Sequence, residues 1–310
     1  MRRRTFIAGL TSLLSSAACS RGQDPSSPGS GADGHKPAMV APPPTWKEHW
    51  FEHNQLLKRA DFNDTVALYF DTDVDLHARD WLMPYLTSMW QYAQRTYGNS
   101  GNKMSADRLY SIIHSGKYFG GHPSTIYDQS HDFRNVSDVG GENWGSTQYD
   151  IVTHEAGHVV EFIASGKHGS PAFDLWGDSK WNEFYAFDVY YALGLTKDAN
   201  RIYDELTADN HVDDFPRANT HWFRDWFYPL WRDYGHAQVM VRYFELTGHY
   251  FPFLNEEFSR TMNWGEFVHF MSGAAKVDLK SMATKAFGWP VEWEVQFREA
   301  QRDFADIKYF

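Results

Sequence analysis

The sequence predicts an α+β fold, in which a small mixed sheet and one central helix precede a mostly helical C-terminal lobe. Two β-type runs, Thr65–Phe70 and Arg108–Ile113, lie in the first half of the chain. Apolar residues recur at helical spacing from Tyr149 to Ser165, and again over most of the chain after Leu195. Strands that precede helices, instead of alternating with them, are typical of α+β domains.

Residues 1–19 are predicted to be an export signal. The arginines Arg2–Arg4 precede an apolar stretch that ends at Leu14 and is too short to span a bilayer. Arg3–Ile7 resembles a twin-arginine signal, and Ser16–Cys19 resembles a bacterial lipobox. We therefore expect an exported protein, either in the bacterial cell envelope or secreted. Its contact with a membrane would be a lipid anchor at Cys19; a plain cleaved signal peptide is the alternative.

Residues 20–44 are rich in Ser, Gly and Pro and are expected to be a tether without regular secondary structure. Residues 45–310 suffice for one large domain, with a mixed lobe over about 45–165 and a helical lobe over about 170–310. Removing the signal's three arginines changes the formal net charge from −11 to −14, which argues against nucleic acid as a partner. The oligomeric state is left open by the sequence.

Between the two β-type runs, a helix is expected over about 79–97. Gly120–Tyr127 is compatible with an edge strand, but a surface turn is the favoured interpretation. Asp71–Asp75 imitates the start of a calcium-binding loop, yet Leu76 and Leu82 stand where such a loop requires Gly and Glu. We interpret it as a polar loop that caps the following helix.

The helical lobe is expected to contain helices over parts of 197–208, 219–234, 236–248, 264–272, 277–286 and 291–305. Aromatic residues make up 17% of the chain and are crowded in the 219–234 segment. We expect most of them to lie in the core, with stacking platforms for sugar rings or aromatic side chains as the alternative. The crowded residues are Trp222, Phe223, Trp226, Phe227, Tyr228 and Trp231.

The central helix carries the pattern H-E-x-x-H, formed by His154, Glu155 and His158. Residues four apart share one face of a helix, so both imidazoles can reach one metal ion. Zinc lowers the pKa of a bound water to about 7, and a neighbouring carboxylate can take its proton. The pattern predicts hydrolysis that depends on Zn²⁺, with Glu155 as general base. The alternative is a buried helix with two hydrogen-bonded histidines.

A catalytic zinc usually has three protein ligands. Glu161 follows His154 by seven residues, about 10 Å along the helix axis, so it is expected to support a ligand or face solvent. Glu183, on a helix expected to run from about 180 to 193, is the favoured third ligand. Asp174 and Asp178, which precede that helix, are its rivals.

Residues 150–190 resemble the gluzincin metallopeptidases, which carry H-E-x-x-H on one helix and a zinc-binding Glu, often within an Asn-Glu pair, on the next. The pair is here Asn182-Glu183. The resemblance implies a zincin-like fold with Glu155 as general base, and it identifies no subfamily. It also implies three Zn²⁺ ligands, namely His154, His158 and Glu183.

Further supporting residues are less well defined. In the gluzincins an Asp often follows the ligand Glu by four residues; that position is Phe187 here, and Asp188 comes one residue later as the candidate to orient a ligand His. An oxyanion requires a hydrogen-bond donor. Tyr185, His221 and His236 are candidates, and the sequence does not choose among them.

The leading functional hypothesis is a secreted or lipid-anchored zinc metallopeptidase, whose partner would be a peptide, protein or glycopeptide substrate. A zinc hydrolase acting on glycopeptides, glycans or cell-wall material is the second, because the chain is rich in aromatic residues and carries an export signal. The third hypothesis is a surface lipoprotein that binds a ligand through a zincin-like fold without catalysis.

Overall fold

The computed structural model describes residues 40–98, 103–104 and 107–309. The export signal, Cys19 and most of the tether lie outside the described residues. Met39–Phe310 forms one compact unit. Among the described residues, every helix is too short or too polar to cross a bilayer.

A six-stranded sheet occupies the first half of the described chain, with the strand order β1-β2-β3-β4-β6-β5. Its strands are β1 (Thr45–Lys47), β2 (Leu56–Phe62), β3 (Val66–Phe70), β4 (Leu109–Ser115), β5 (Gly120–Ser124) and β6 (Asn135–Gly141). β3, β4 and β6 run parallel, whereas β1, β2 and β5 pair antiparallel with their neighbours. The mixed sheet expected from the sequence is therefore confirmed, and the two β-type runs are β3 and β4.

Helix α1 (Arg79–Thr96) is the crossover that lets β3 and β4 pair in parallel. The Asp71–Asp75 loop leads into it through a short 3₁₀ turn. Asp75 caps that turn, because its Oδ1 accepts the backbone N–H of His77 at 2.9 Å. Lys117 Nζ lies 2.9 Å from the carboxylate of Asp71 and 2.9 Å from that of Asp73. The loop is polar, as expected, but it caps the 3₁₀ turn and not α1, whose first turn has no side-chain cap.

Strand β5 forms one outer edge of the sheet. The favoured sequence interpretation, a surface turn over Gly120–Tyr127, is wrong for Gly120–Ser124, which pairs antiparallel with Val136–Gly140. Glycine and proline are turn signals in a local reading. Both residue types are tolerated in β5 because an edge strand pairs with a neighbour on one side only. A proline such as Pro123, which has no N–H, is therefore found in edge strands and not in central ones.

Two central helices follow the sheet, α2 (Tyr149–Ile163) and α3 (Phe173–Ala192). α3 is broken near its start by Gly177, whose φ of 64° and ψ of −167° are not helical. The remaining helices are α4 (Thr196–Thr207), α5 (Tyr228–Asp233), α6 (Ala237–Tyr250), α7 (Trp264–Ala275), α8 (Lys280–Phe287) and α9 (Val291–Asp303), with a π-helical turn over Phe223–Phe227 and a hairpin of β7 (Phe253–Leu254) and β8 (Glu257–Phe258). The expected helical C-terminal part is confirmed.

The sheet separates two apolar cores. Alternate residues of β3, β4 and β6, such as Leu68, Ile113 and Val139, pack with α1 and α2 in the larger core. The opposite face is covered by the chain around β1 and β2. Its core consists of Trp46, Trp50, Leu57, Ala67, Tyr69, Tyr110, Ile112 and Val136.

The aromatic residues crowded around α5 belong mainly to the larger core. Trp222, Phe223, Trp226, Phe227 and Trp231 are all buried. The core interpretation is confirmed for these five residues, and they offer no exposed platform for a sugar ring.

Candidate metal centre

Helix α2 presents the H-E-x-x-H residues from a well-anchored position beside the sheet. Its apolar side is buried against α1, α3 and β6, and Thr153 Oγ1 hydrogen-bonds both Tyr149 O and Tyr85 Oη near the helix start. His154 is half-buried, while Glu155 and His158 are buried. The helical spacing thus places the three polar groups on one side of a helix that cannot rotate without exposing its apolar side.

The structure brings His154 and His158 together with Asp178. One ligand atom of each lies within 4.8 Å of the others. His158 Nε2 is 3.2 Å from Asp178 Oδ1, and the two imidazole centroids are 5.0 Å apart. Two ring nitrogens and a carboxylate oxygen form a common zinc ligand set. Asp178 reaches the histidines because the left-handed backbone of Gly177 turns the chain immediately before it.

Glu183, the favoured third ligand, lies close to this group but not within it. Its Oε1 is 3.4 Å from Lys180 Nζ, and its Oε2 is 3.4 Å from His211 Nε2. Burial lowers the pKa of His154 to about 4, and the charge of Glu183 partly opposes that effect. Glu183 is therefore near enough to act on His154 electrostatically. Asp174 is exposed and lies outside the group.

Glu161 contacts His158 at the ring nitrogen that is not directed at Asp178. Of the two expected positions for Glu161, beside a ligand or in solvent, the structure shows the first. Glu161 Oε2 lies 3.3 Å from His158 Nδ1, and its Oε1 accepts the Trp176 Nε1 hydrogen at 2.6 Å. A proton on Nδ1 is thereby directed to Glu161, which leaves Nε2, on the side of Asp178, as the nitrogen that could bind a metal ion. Burial lowers the pKa of His158, but its bonds to Asp178 and Glu161 raise it to about 10, and a cation can take the place of that proton.

Asn182 contributes a contact that the sequence analysis did not assign. Its Nδ2 lies 2.9 Å from His158 Nε2 and donates to the backbone oxygen of Asp178 at 2.9 Å. A metal at Nε2 would displace the first of these hydrogen bonds. Asn182 can approach because α2 has a glycine opposite it: a Cβ on Gly157 would lie 2.3 Å from Asn182 Oδ1.

Glu155 faces strand β5 at very short range. A Cβ on Gly121 would lie 2.5 Å from Glu155 Cγ and 2.7 Å from the backbone oxygen of Asp138. Only glycine permits this approach of the strand to the acid. Burial raises the pKa of Glu155 to about 8, which suits a group that must accept a proton near neutral pH.

Asp188 does not contact His154 or His158, the two histidines of the H-E-x-x-H pentad (residues 154–158). Its two carboxylate oxygens accept hydrogen bonds from Tyr92 Oη at 2.6 Å, Tyr97 Oη at 2.8 Å and Trp231 Nε1 at 2.8 Å. A shift of one residue rotates a helical side chain by about 100°. Asp188 consequently points away from α2 and links α1, α3 and α5, so its assignment as the support of a ligand His is wrong.

The three oxyanion candidates also make other contacts. Tyr185 is fully buried, with its Oη 3.6 Å from Met89 Sδ. The ring of His236 lies 4.2 Å from that of Trp231, and His221 is buried. None of the three belongs to the group of His154, His158 and Asp178. His211, which is half-buried beside Glu183, was not singled out by any sequence pattern.

No family model and no curated protein matches this chain. Two solved structures from Bacillus anthracis str. Ames are similar: a functionally unknown conserved protein, with a TM-score of 0.51, and a mutant of a functionally unknown conserved protein, with a TM-score of 0.50. Each is 10% identical to this chain, and the match covers 80% of this chain and 51% of the other. This chain therefore spans about half the length of those proteins, and the likeness concerns the fold alone.

Proposed function

We propose that the protein is an exported zinc metallopeptidase that hydrolyses peptide bonds with Glu155 as general base. The observation that carries the proposal is the convergence of His154, His158 and Asp178 within 4.8 Å beside a buried Glu155. A buried pair of structural histidines would not require a buried acid at this place. The zincin-like assignment of the fold is part of this proposal.

In the proposed reaction, the metal ion, Glu155 and Glu161 would have different roles. Bound Zn²⁺ would supply a polarised water and a Lewis acid for the scissile carbonyl. Glu155 would accept the proton of that water and deliver it to the leaving amine. Glu161 would hold the His158 ring in one tautomer, so that Nε2 stays available.

A peptide substrate is favoured by the position of β5. This strand ends the sheet, and Gly120 and Gly121 are exposed on it. An extended peptide can add to such an edge through backbone hydrogen bonds. Because Gly121 directly faces Glu155, a peptide paired there would run past the general base. The glycan hypothesis is weakened, since the aromatic residues that motivated it are largely buried.

The substitution Glu155→Gln tests the mechanism. The variant should retain one Zn²⁺ at the pentad, because Glu155 is not a ligand, and should lose hydrolysis of a peptide library by at least about 100-fold. Glu299→Gln, an exposed position on α9, is the matched control and should cleave normally. Full cleavage by Glu155→Gln would refute the mechanism. Peptide binding that survives chelation, with no cleavage by the native chain, would support the non-catalytic alternative.

The third ligand is decided by comparing Asp178→Asn with Glu183→Gln. We expect Asp178→Asn to weaken Zn²⁺ binding by more than about 100-fold, beyond the range typical of residues that only support a ligand. Glu183→Gln should then lower the affinity by less. Competitive chelator titration measures both. The reverse order would assign Glu183 as the ligand and require the 177–183 segment to shift when metal binds.

A further inference from the structure

The sheet face opposite α1 and α2 carries three charged or ionisable residues beside its apolar part. Along β3, β4 and β6 this face is apolar, with residues such as Tyr69, Ile112 and Val136. Side chains alternate between the two faces of a sheet. The next positions on this face are Asp71, directly after β3, His114, near the end of β4, and Asp138, in the middle of β6, and all three are buried.

Two further polar residues close over this end of the sheet. Glu48 and His53 flank the turn between β1 and β2, which is fixed by backbone hydrogen bonds from Glu48 N to Gln55 O at 3.0 Å and from His53 N to Trp50 O at 2.9 Å. Glu48 is 1% exposed and His53 is 7% exposed. Glu48, His53, His114 and Asp138 thus meet in a buried space that the H-E-x-x-H motif does not use, and Asp71 lies beside His114.

Their ligand atoms are spaced as the atoms around a metal ion are. His114 Nε2 lies 2.9 Å from Glu48 Oε1 and 3.2 Å from Asp138 Oδ1. His53 Nδ1 lies 3.1 Å from Asp138 Oδ2 and 3.6 Å from Glu48 Oε1. One atom from each of the four residues lies within 4.8 Å of the others. Ligands 2.0–2.1 Å from a tetrahedral zinc are separated by about 3.3 Å.

These contacts are close ion pairs, but at three of the atoms their geometry is not that of a well-formed hydrogen bond. Glu48 Oε1, His53 Nδ1 and His114 Nε2 are buried and have no hydrogen-bond partner among the described residues. In a network of imidazolium ions and carboxylates, each ring N–H should point at a carboxylate oxygen. Here the three atoms form no hydrogen bond of that geometry, although they lie within ion-pair distance of one another. Leaving three such atoms unsatisfied is costly, and a shared cation removes that cost.

The surrounding contacts fix the orientation of the four groups. His114 Nδ1 lies 3.0 Å from Asp71 Oδ2, so its proton is directed to Asp71 and its Nε2 lone pair faces the cluster. Glu48 Oε2 accepts the Gln55 N–H at 2.9 Å, which leaves Oε1 for the cluster. Asp138 Oδ2 accepts the Trp50 indole hydrogen at 3.0 Å.

We propose that Glu48, His53, His114 and Asp138 bind a divalent first-row transition metal ion, at a second site on the sheet face opposite the pentad. Two imidazoles and two carboxylates suit Zn²⁺ and similar ions better than Ca²⁺ or Mg²⁺, which prefer oxygen ligands alone. Two carboxylates also balance the charge of one divalent ion in a buried place. The ion would tie the β1–β2 turn to the end of β4 and the middle of β6.

The test is a metal count on the full chain. Protein stripped with a chelator is reloaded with Zn²⁺, and bound zinc is measured by inductively coupled plasma mass spectrometry. The native chain should bind two ions. The double variant His154→Gln/His158→Gln should retain one, and this arm leaves the second site untouched. The variant His53→Gln/Asp138→Asn should also retain one, and His49→Gln, an exposed neighbour in the same turn, should retain two.

Co²⁺ provides an independent readout that does not require variants of the second site. Titrated into stripped His154→Gln/His158→Gln protein, it should give visible d–d absorption that saturates at one equivalent. Absence of any bound Zn²⁺ or Co²⁺ in this variant would overturn the proposal and leave an ion-pair network only. If only the pentad site fails, the native chain binds one ion that His53→Gln/Asp138→Asn abolishes, so failure of the proposed function is separately visible.

Discussion

At the scale of single residues, the pentad depends on how its histidines are held. Glu161 fixes the ring of His158 from one side, and Trp176 in turn fixes Glu161. Both supporting groups are buried, so their hydrogen bonds are shielded from competing water. The metal affinity of the site should therefore depend on residues that never touch the ion.

Glu161→Gln tests this dependence. The amide can still occupy the space but holds the His158 N–H less strongly, so the Zn²⁺ affinity of the pentad should fall by about 10–100-fold. Competitive chelator titration measures the loss. Glu299→Gln serves again as the exposed control. An unchanged affinity would mean that the Glu161–His158 contact has no part in metal binding.

At the scale of elements, edge strand β5 is tied to the end of α2. His168, in the loop after α2, pairs with Asp128 at 3.2 Å, and its ring stacks on Tyr127 with centroids 5.2 Å apart. Tyr127 Oη also donates to Gly166 O at 3.3 Å. These contacts hold the chain that follows β5 against the chain that follows α2, so they help to fix the gap in which Glu155 and Gly121 meet.

The His168–Asp128 pair gives a pH dependence of stability. Burial alone would raise the pKa of Asp128, but its bonds to His168 and Thr125 hold it at about 2, and that stability is lost as the pH falls from 3.8 through 2. Burial lowers the pKa of His168, but Asp128 raises it above 6.5, and that stability is lost as the pH rises through the raised value. The pair therefore stabilises the fold most between about pH 4 and pH 6.5.

His168→Gln should lower the free energy of unfolding by about 1–2 kcal/mol near pH 5 and by less at pH 2 or pH 9. Urea titrations at the three pH values measure the difference. His249→Gln, an exposed histidine on α6, should show no such window. An equal loss at all three pH values would indicate that packing against Tyr127, rather than charge, accounts for the effect.

At the scale of the whole molecule, a buried carboxylate joins the two halves of the fold. Asp188 receives hydrogen bonds from two tyrosines of the α1 region and from Trp231 of α5. α1 belongs to the sheet half of the chain, while α3 and α5 belong to the helical half. Three directed bonds to one charged group therefore fix how these helices pack.

Asp188→Ala should lower the free energy of unfolding by about 3–5 kcal/mol, because three donors lose their acceptor, and two of them, Tyr97 and Trp231, are buried. Urea unfolding followed by tryptophan fluorescence measures the change. Asp204→Ala, exposed on α4, should alter it by less than about 0.5 kcal/mol. If the Asp188→Ala variant has the same urea midpoint of unfolding as the native protein, the packing of these helices does not depend on Asp188.

Much of the fold was predictable because it is encoded in local patterns. The apolar spacing gives α1, α2 and the helices after Leu195, and the β-branched and aromatic runs give β3 and β4. β6 escaped detection, since a buried central strand with the sequence Asn-Val-Ser-Asp-Val-Gly-Gly lacks both alternation and a continuous apolar run. β5 was misassigned because its pairing partner lies elsewhere in the chain.

The candidate sites also differ in whether their residues form a local sequence pattern or are brought together only by the fold. The pentad could be read from the sequence because its spacing is that of one helix turn. Asp178 could be named only as a rival, since the turn at Gly177 that directs it is a backbone conformation and not a pattern. Glu48, His53, His114 and Asp138 come from the β1–β2 turn, β4 and β6, and only the sheet register brings them together.

The open edge of β5 has a consequence for self-association. An edge that can receive a peptide can equally receive the edge of a second copy, and repeated pairing of this kind leads to aggregation. β5 restricts the risk: it is five residues long, begins with two glycines and contains Pro123, which has no N–H to offer. The strand offers too few backbone groups for a lasting contact between two sheets, whereas the short peptide substrate proposed above would need no more.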